Sequence, residues 1–488
     1  MKLRYGKTEK TNSNSGRLFA RKAPAERLLL PAAPGEVSQT DPRGKHRMAF
    51  LGLYTFTLLL YWRPHELWPG VLGPLSLPKI VAVSTILIYC FSKLSAGEKL
   101  LTWTLELKMA AIMWVLGVIT LPVAASPKES FDVLFDPFSR TVIVFILLIS
   151  LVDTRERLKS LLFLLVLIEL LFSISGIKTF LAGDYGALGG QRIFGWGTMF
   201  SNPNDFASLI DLLLPFAVIF ALLKRGVAKW VYFACAGLAA AAVFCTFSRS
   251  AFLGLIALAV VIAWKLARIS LARRVKLVFS ALIVSTLLMV ALPGSYRDRI
   301  ATIFNPDTDT TNSAQERQLL MQRAAELAIR RSVVGVGMGN FHIYSFQEKV
   351  AHNSYLEIAA ELGALGLIAY LVLIFAPIIS LRRIERETSE RGAKPDRELY
   401  VMSVCFQASL VAFIIYAFFG SVQYFPFLYY IVGFGVALRR IHHLETRAAV
   451  HVNKGADELG RPVQMEQKKG MLWRPRRGRR GLLIEGSR

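Results

Sequence analysis

Polar residues able to bind an anion or move a proton occur in this 488-residue chain as a few short blocks between long apolar runs. Arg63-Pro64-His65-Glu66 follows the first run. A second block, between 176 and 205, ends in Gln191-Arg192-Ile193-Phe194-Gly195 and Ser201-Asn202-Pro203-Asn204-Asp205. Thr246-Phe247-Ser248-Arg249-Ser250 forms a very short turn. The fourth block holds Gln315-Glu316-Arg317, the run from Gly335 to Phe341 with glycines at 335, 337 and 339, and His352-Asn353-Ser354-Tyr355-Leu356-Glu357. Guanidinium groups are planar, permanently charged donors suited to phosphate, and a neutral imidazole can accept a proton near pH 7.

Each of these residues also has a plainer reading. Arg249 lies between two apolar runs with no acidic neighbour in sequence, so it binds an anion, snorkels to the membrane surface, or pairs with Asp211 or Glu169, two acids embedded in apolar runs. His352 stands at or just before a helix start, either as a general base beside N–H groups that could hold a phosphate or as a helix cap. Within one regular helix His352 and Glu357 would lie about 140° apart, which makes Glu357 a poor partner for the imidazole. Asn353, Glu357 and Glu361 share a face. The glycine run follows no strand and is therefore no dinucleotide fingerprint; it reads as a tight turn that brings backbone close to the membrane surface. Asp307 and Asp309 lie in a Thr/Asp/Asn-rich stretch that reads as a solvated loop rather than a metal site for nucleotide sugars.

The elements that must position these residues are membrane helices. The chain is 54% hydrophobic and 19% charged, with a mean hydropathy of +0.44, which excludes a soluble globular protein. Spanning a hydrocarbon core takes about 20 apolar residues per helix, and unpaired backbone groups are not tolerated there. Twelve runs are read as spans, of which the first, second and fourth are short: 48–62, 80–92, 107–125, 138–152, 158–175, 205–223, 229–247, 250–266, 275–292, 362–381, 399–418 and 422–438. The expected fold is an all-α polytopic membrane protein of about 12 transmembrane helices, with one long loop, 293–361, between helices 9 and 10. Residues 313–331 within that loop show an amphipathic helical pattern. Cys90, Cys235, Cys245 and Cys405 all fall inside apolar runs without paired spacing and read as packing residues.

Short loops on one side of this topology hold 20 Lys/Arg and those on the other hold 7. The positive-inside rule then places both termini in the cytoplasm and the polar blocks, with the long loop, outside. No cleavable signal peptide is visible. The net charge of +24 is concentrated at the ends, with 11 Lys/Arg against 4 acids in residues 1–47 and 13 against 5 in residues 439–488. Basic segments flanking spans point to anionic lipid, and no nucleic-acid-binding motif accompanies them. The expected organisation is a basic disordered cytoplasmic tail over 1–47, a membrane domain over 48–442 and a second basic cytoplasmic tail over 443–488.

Four blocks, in order over about residues 190–375, resemble the O-antigen ligase family, which shares its core domain with O-antigen polymerases and bacterial protein O-oligosaccharyltransferases. They are Arg192 with Phe200-Ser201-Asn202-Pro203-Asn204, Ser248-Arg249-Ser250, Arg317 with the run Gly335–Phe341, and His352-Asn353-Ser354-Tyr355-Leu356 with Glu361-Leu362-Gly363. Met321 and Arg331-Ser332-Val333 stand where the family often has an aromatic residue and a proline. The resemblance implies an oligosaccharide or polysaccharide ligase in the inner membrane with a periplasmic site. It would move a glycan from an undecaprenyl-pyrophosphate carrier to lipid A core, another glycan or a protein, with no metal and no cofactor. It implies that His352 activates or positions the acceptor hydroxyl and that Arg249 and Arg317 bind the pyrophosphate. Arg192, Asn353, Asn202, Asn204 and Arg63 would contribute to binding donor or glycan. A polymerase of the same family is the alternative, and a transporter of lipid-linked sugars, using Glu169 and Asp211, is a more distant one.

Overall fold

The computed structural model describes residues 45–72, 76–183, 193, 195, 200–266, 313–390, 392, 393 and 395–458, without the side chains of 313, 314 and 451–458. Every regular element among them is helical. In chain order they are α1 (Arg47–Trp62), α2 (Leu77–Ser95), α3 (Leu105–Thr120), α4 (Pro127–Leu151), α5 (Arg155–Leu181), α6 (Pro203–Leu223), α7 (Val227–Cys245), α8 (Arg249–Leu266), α9 (Ser313–Arg330), α10 (Ser354–Thr388), α11 (Arg397–Phe419) and α12 (Pro426–Glu458). Side-chain caps start several of them: Thr104 accepts from the Leu107 N–H, Thr154 from Arg157, Asn202 from Asn204 and Asp396 from Leu399. A π-helical turn with Pro137 interrupts α4.

Nine helices among the described residues are long and apolar enough to cross a membrane: α2 to α8, α10 and α11. This is a multi-pass membrane protein. The expected twelve spans are therefore not all recovered. The first forms as the 16-residue α1, and the last is the opening part of α12. The ninth, 275–292, lies outside the described residues, as do Asp307 and Asp309. α12 runs on to Glu458, so the basic segment expected to be a tail from 443 begins as helix.

α6 and α11 are the central helices, almost wholly buried, whereas α2 is mostly exposed at the periphery. α6 packs against α5, α7, α8 and α11, and α11 against α8, α10 and α12. Hydrophobic burial does not drive helix association in lipid, so close approach depends on small residues. α7 presents Ala236, Ala239 and Ala242 as its buried face, and Gly254 of α8 faces Asp211 of α6 and Ala412 of α11. α9 lies on α10, burying Leu320, Ala324 and Leu327, three of the apolar positions that made the segment amphipathic. Leu319, from the same pattern, is exposed.

Candidate active site

The site forms where the start of α10, the starts of α6 and α8, and the α11–α12 connection meet. Asn353 caps α10: its Oδ1 accepts from the Tyr355 and Leu356 N–H groups at 3.1 and 3.0 Å, and its Nδ2 donates to the Phe418 carbonyl at 3.1 Å. His352 is thus not the cap. It stands one residue outside the helix, half-buried, with φ of +52°, a conformation a non-glycine residue adopts at a cost and keeps only where its surroundings enforce it.

Those surroundings are a polar network. The His352 N–H donates to Ser421 Oγ at 3.1 Å, and the Ser421 hydroxyl donates to Glu357. Glu357 also accepts from the Ala351 N–H and from Gln423 Nε2, both at 2.9 Å. Ser354 Oγ donates to the Gly420 carbonyl at 2.7 Å and accepts from the Val422 N–H at 2.9 Å. Glu357 therefore supports the backbone of His352 through Ser421. Seven residues of the α11–α12 connection and its edges, from Phe418 to Tyr424, supply five of these partners; nothing in their composition marked them.

The charge around His352 comes from α9. Arg317 lies within electrostatic reach of His352 and of Tyr416 on α11, and Glu316 and Lys349, which form an ion pair, are also near. Burial, reinforced by the Arg317 charge, lowers the His352 pKa to about 4. The imidazole is therefore neutral near pH 7 and able to accept a proton.

Tyr416 connects this cluster to α6. Its hydroxyl donates to Asp205, in the first turn of α6. One residue earlier, Asn204 Oδ1 accepts from Ser248 Oγ at 2.9 Å, and Ser248 lies 3.2 Å from Ser250 Oγ. Ser248 precedes Arg249, the half-buried first residue of α8. Arg249 thus belongs to the same end of the bundle as His352 and Arg317. Deeper in the bundle, both Glu169 oxygens and Asp211 Oδ1 are buried without a hydrogen-bond partner. Asn202 is exposed and caps α6. Arg63, also at positive φ, pairs with Glu66 at 2.5 Å. Arg192 lies outside the described residues.

The glycine run packs its backbone against a broken helix. α10 is interrupted at Gly363, whose φ of +72° is left-handed. The break frees carbonyls that accept from the run: Val336 N–H to Ala360 at 2.9 Å and Gly337 N–H to Glu361 at 3.1 Å, while the Ala364 N–H donates to Ser332 at 2.7 Å. The Glu361 side chain takes the Tyr424 hydroxyl at 2.7 Å and the Phe341 N–H at 3.3 Å. Asn340 closes the far side: its Oδ1 accepts from the Ser126 N–H at 2.7 Å and its Nδ2 donates to Ser130 at 3.0 Å. The loop after α9 is therefore anchored to α10, to the start of α4 and, through Glu361, to the α11–α12 connection.

A family model described as O-antigen ligase matches residues 233–371. Over these residues the chain is similar to the O-antigen ligase family. The matched span contains Arg249, Arg317, the glycine run and His352, and it excludes Asn202 as well as Asn204, Asp205, Tyr416 and Ser421, the last four of which reach the site through the fold. An O-antigen ligase domain in a multi-pass helical protein supports a membrane glycosyltransferase-like function of the ligase and polymerase type. Among solved structures, a chain of a peptidoglycan synthase complex that coordinates polymerization and crosslinking is similar at 18% identity, with a TM-score of 0.39, over 69% of this chain and 96% of that one. No curated protein matches.

Proposed function

We propose that the protein transfers a glycan from a polyprenyl-pyrophosphate carrier to an acceptor hydroxyl, on the outer face of the inner membrane, with both termini in the cytoplasm. The observation that carries this reading is the juxtaposition of Arg317 with a neutral His352 at the start of α10. The acceptor oxygen attacks the anomeric carbon of the donor sugar, the bond from that carbon to the pyrophosphate oxygen breaks, and the hydroxyl proton passes to His352. Arg317 and Arg249 hold the pyrophosphate and stabilise the charge that grows on it as it leaves.

Donor binding and base strength are linked in this scheme. A pyrophosphate on Arg317 offsets the cation that depresses the His352 pKa, so the imidazole becomes a stronger base when donor is present. Asn353, Asn202 and Asn204 act as positioning residues, since their side-chain oxygens already cap α10, cap α6 and accept from Ser248. Arg192 and Arg63 are proposed to contact the glycan. The carrier is undecaprenyl pyrophosphate, and the acceptor is lipid A core, a polysaccharide or a protein; the basic ends of the chain lie on anionic lipid.

The test is transfer by purified full-length protein from a synthetic polyprenyl-pyrophosphate-linked glycan. H352A is expected to lower the rate by about 10²–10⁴, and R317A and R249A by about 10² or more, with unchanged elution on gel filtration. Full activity in both H352A and R317A would refute the mechanism. Transport of lipid-linked sugar is the second reading, favoured by the buried Glu169 carboxylate and Asp211 Oδ1, which lack hydrogen-bond partners. Loss of vesicle-to-vesicle transport in E169Q, with no transfer by the wild type, would favour it.

A further inference from the structure

α12 begins beside the candidate active site and ends at the opposite end of the bundle, where it borders a cavity of about 360 Å³. Arg439, Arg440, His443 and Arg447 of α12 and the segment Thr102–Thr104 supply its polar lining. Ile149, Val436 and Leu444 supply the apolar part. Neighbouring Trp103 is 59% exposed, as expected of an aromatic residue at a membrane–water boundary.

The charges in this cavity do not cancel. Arg439 is neutralised by buried Glu106 in a two-pronged pair at 2.7 and 2.8 Å. Arg440 instead donates to the Ile149 and Ser150 carbonyls at 2.9 and 3.0 Å, which fix it without an opposing charge. Arg447 is exposed at the rim. Nearby acids are engaged elsewhere, Glu445 with Arg155 and Glu387 with Arg383 and His442. The start of α3, capped by Thr104, adds the positive end of a helix dipole.

We propose that this cavity binds the headgroup of an anionic phospholipid, its phosphodiester between Arg440 and Arg447 and its glycerol and first methylenes against Ile149, Val436 and Leu444. A free phosphate would use the cations alone, whereas the apolar lining favours the lipid. The site lies at the far end of α12 from His352, so it stands or falls separately from the proposed reaction.

The experiment reconstitutes the full-length protein in nanodiscs of phosphatidylethanolamine with a minority of phosphatidylglycerol and counts retained phosphatidylglycerol by native mass spectrometry. R447Q is expected to lower occupancy about fivefold and R447E about 25-fold, following the attraction of one surface cation to anionic lipid. K224Q, a cation at the same end but away from the cavity, is expected to leave it unchanged. Wild-type retention by R447E, or an equal loss in K224Q, would overturn the proposal. So would displacement of the lipid by excess inorganic phosphate, which would assign the cavity to a free anion. Because Arg447 is exposed and distant from the bundle core, its variants test binding without threatening the fold.

Discussion

His352 combines a left-handed backbone, a half-buried ring and an arginine neighbour, and these determine how its activity responds to pH. With a pKa of about 4 in the free protein, protonation removes the base only in acid. The acid limb of kcat/KM, which reports the free enzyme, is expected near pH 4, and that of kcat, which reports the donor complex, at higher pH. R317Q removes one of the two main depressing influences, so its kcat/KM limb moves upward; an unmoved limb in R317Q would separate Arg317 from His352. Tyr416 makes a different prediction. Y416F deletes the hydroxyl that joins α11 to Asp205 on α6 while conserving the ring, and transfer is expected to fall about tenfold, mostly in KM, from the loss of one hydrogen bond to a charged group. Steady-state kinetics of R317Q and Y416F across pH distinguishes a charge that tunes the base from a positioning residue.

At the scale of elements, the long loop is held in place by a break in a helix. Gly363 opens α10, and the exposed carbonyls recruit the backbone of Val336 and Gly337. A Cβ on Gly363 would lie 2.7 and 2.8 Å from the Ser332 and Val333 carbonyls in a conformation that L residues resist, and one on Gly335 would collide with the Glu361 carbonyl. G363A and G335A are each expected to destabilise the protein by about 1–3 kcal/mol, seen as a lower melting temperature in detergent, and to lower transfer although neither residue touches substrate. Transfer at the wild-type rate in G335A would show that the loop can leave α10 without consequence. Glu357 follows the same logic: E357Q keeps the shape but weakens its hold on Ser421 and the Ala351 N–H, so it should loosen the strained His352 backbone rather than remove a reacting group.

The whole molecule separates two kinds of polar chemistry along one bundle. The end with His352 is a network of neutral donors and carboxylates with Arg317 in electrostatic reach, while the opposite end carries several ion pairs. There, Lys265 bonds to buried Glu385 and to Gln407, Arg155 joins Asp396 and Glu445, and Arg439 meets Glu106. Removing one partner of a buried pair strands the other charge, so E106Q is expected to cost about 3 kcal/mol, measured by unfolding in detergent, with little effect on transfer in the surviving folded protein. Every side chain of the candidate site that the structure describes belongs to the unit that begins at His46. Deleting residues 1–40 should therefore leave transfer intact in protein that inserts normally, assayed in membranes.

What could be read from the residues alone depended on local signals. Apolar runs of span length gave the helices because lipid leaves the backbone no alternative, and the amphipathic pattern of 313–331 gave α9 with the right buried stripe at Leu320, Ala324 and Leu327. Arg249 stood out because charge between apolar runs is costly, His352 because it precedes a helix start, and Arg317 through the resemblance to the O-antigen ligase family. The partners of these residues were not legible. Ser421, Gln423 and Tyr416 are common residue types lying 64 or more positions from His352 in sequence, and only the packing of α10 against α11 and α12 brings them to it. The same holds for Glu357: the angle within an ideal helix made it a poor partner for the imidazole, and the tertiary structure alone showed that it acts on the backbone through Ser421. The glycine run looked like a turn because glycine permits many conformations. Which one it takes was decided by carbonyls that α10 leaves open at Gly363, a long-range fit that no local pattern encodes.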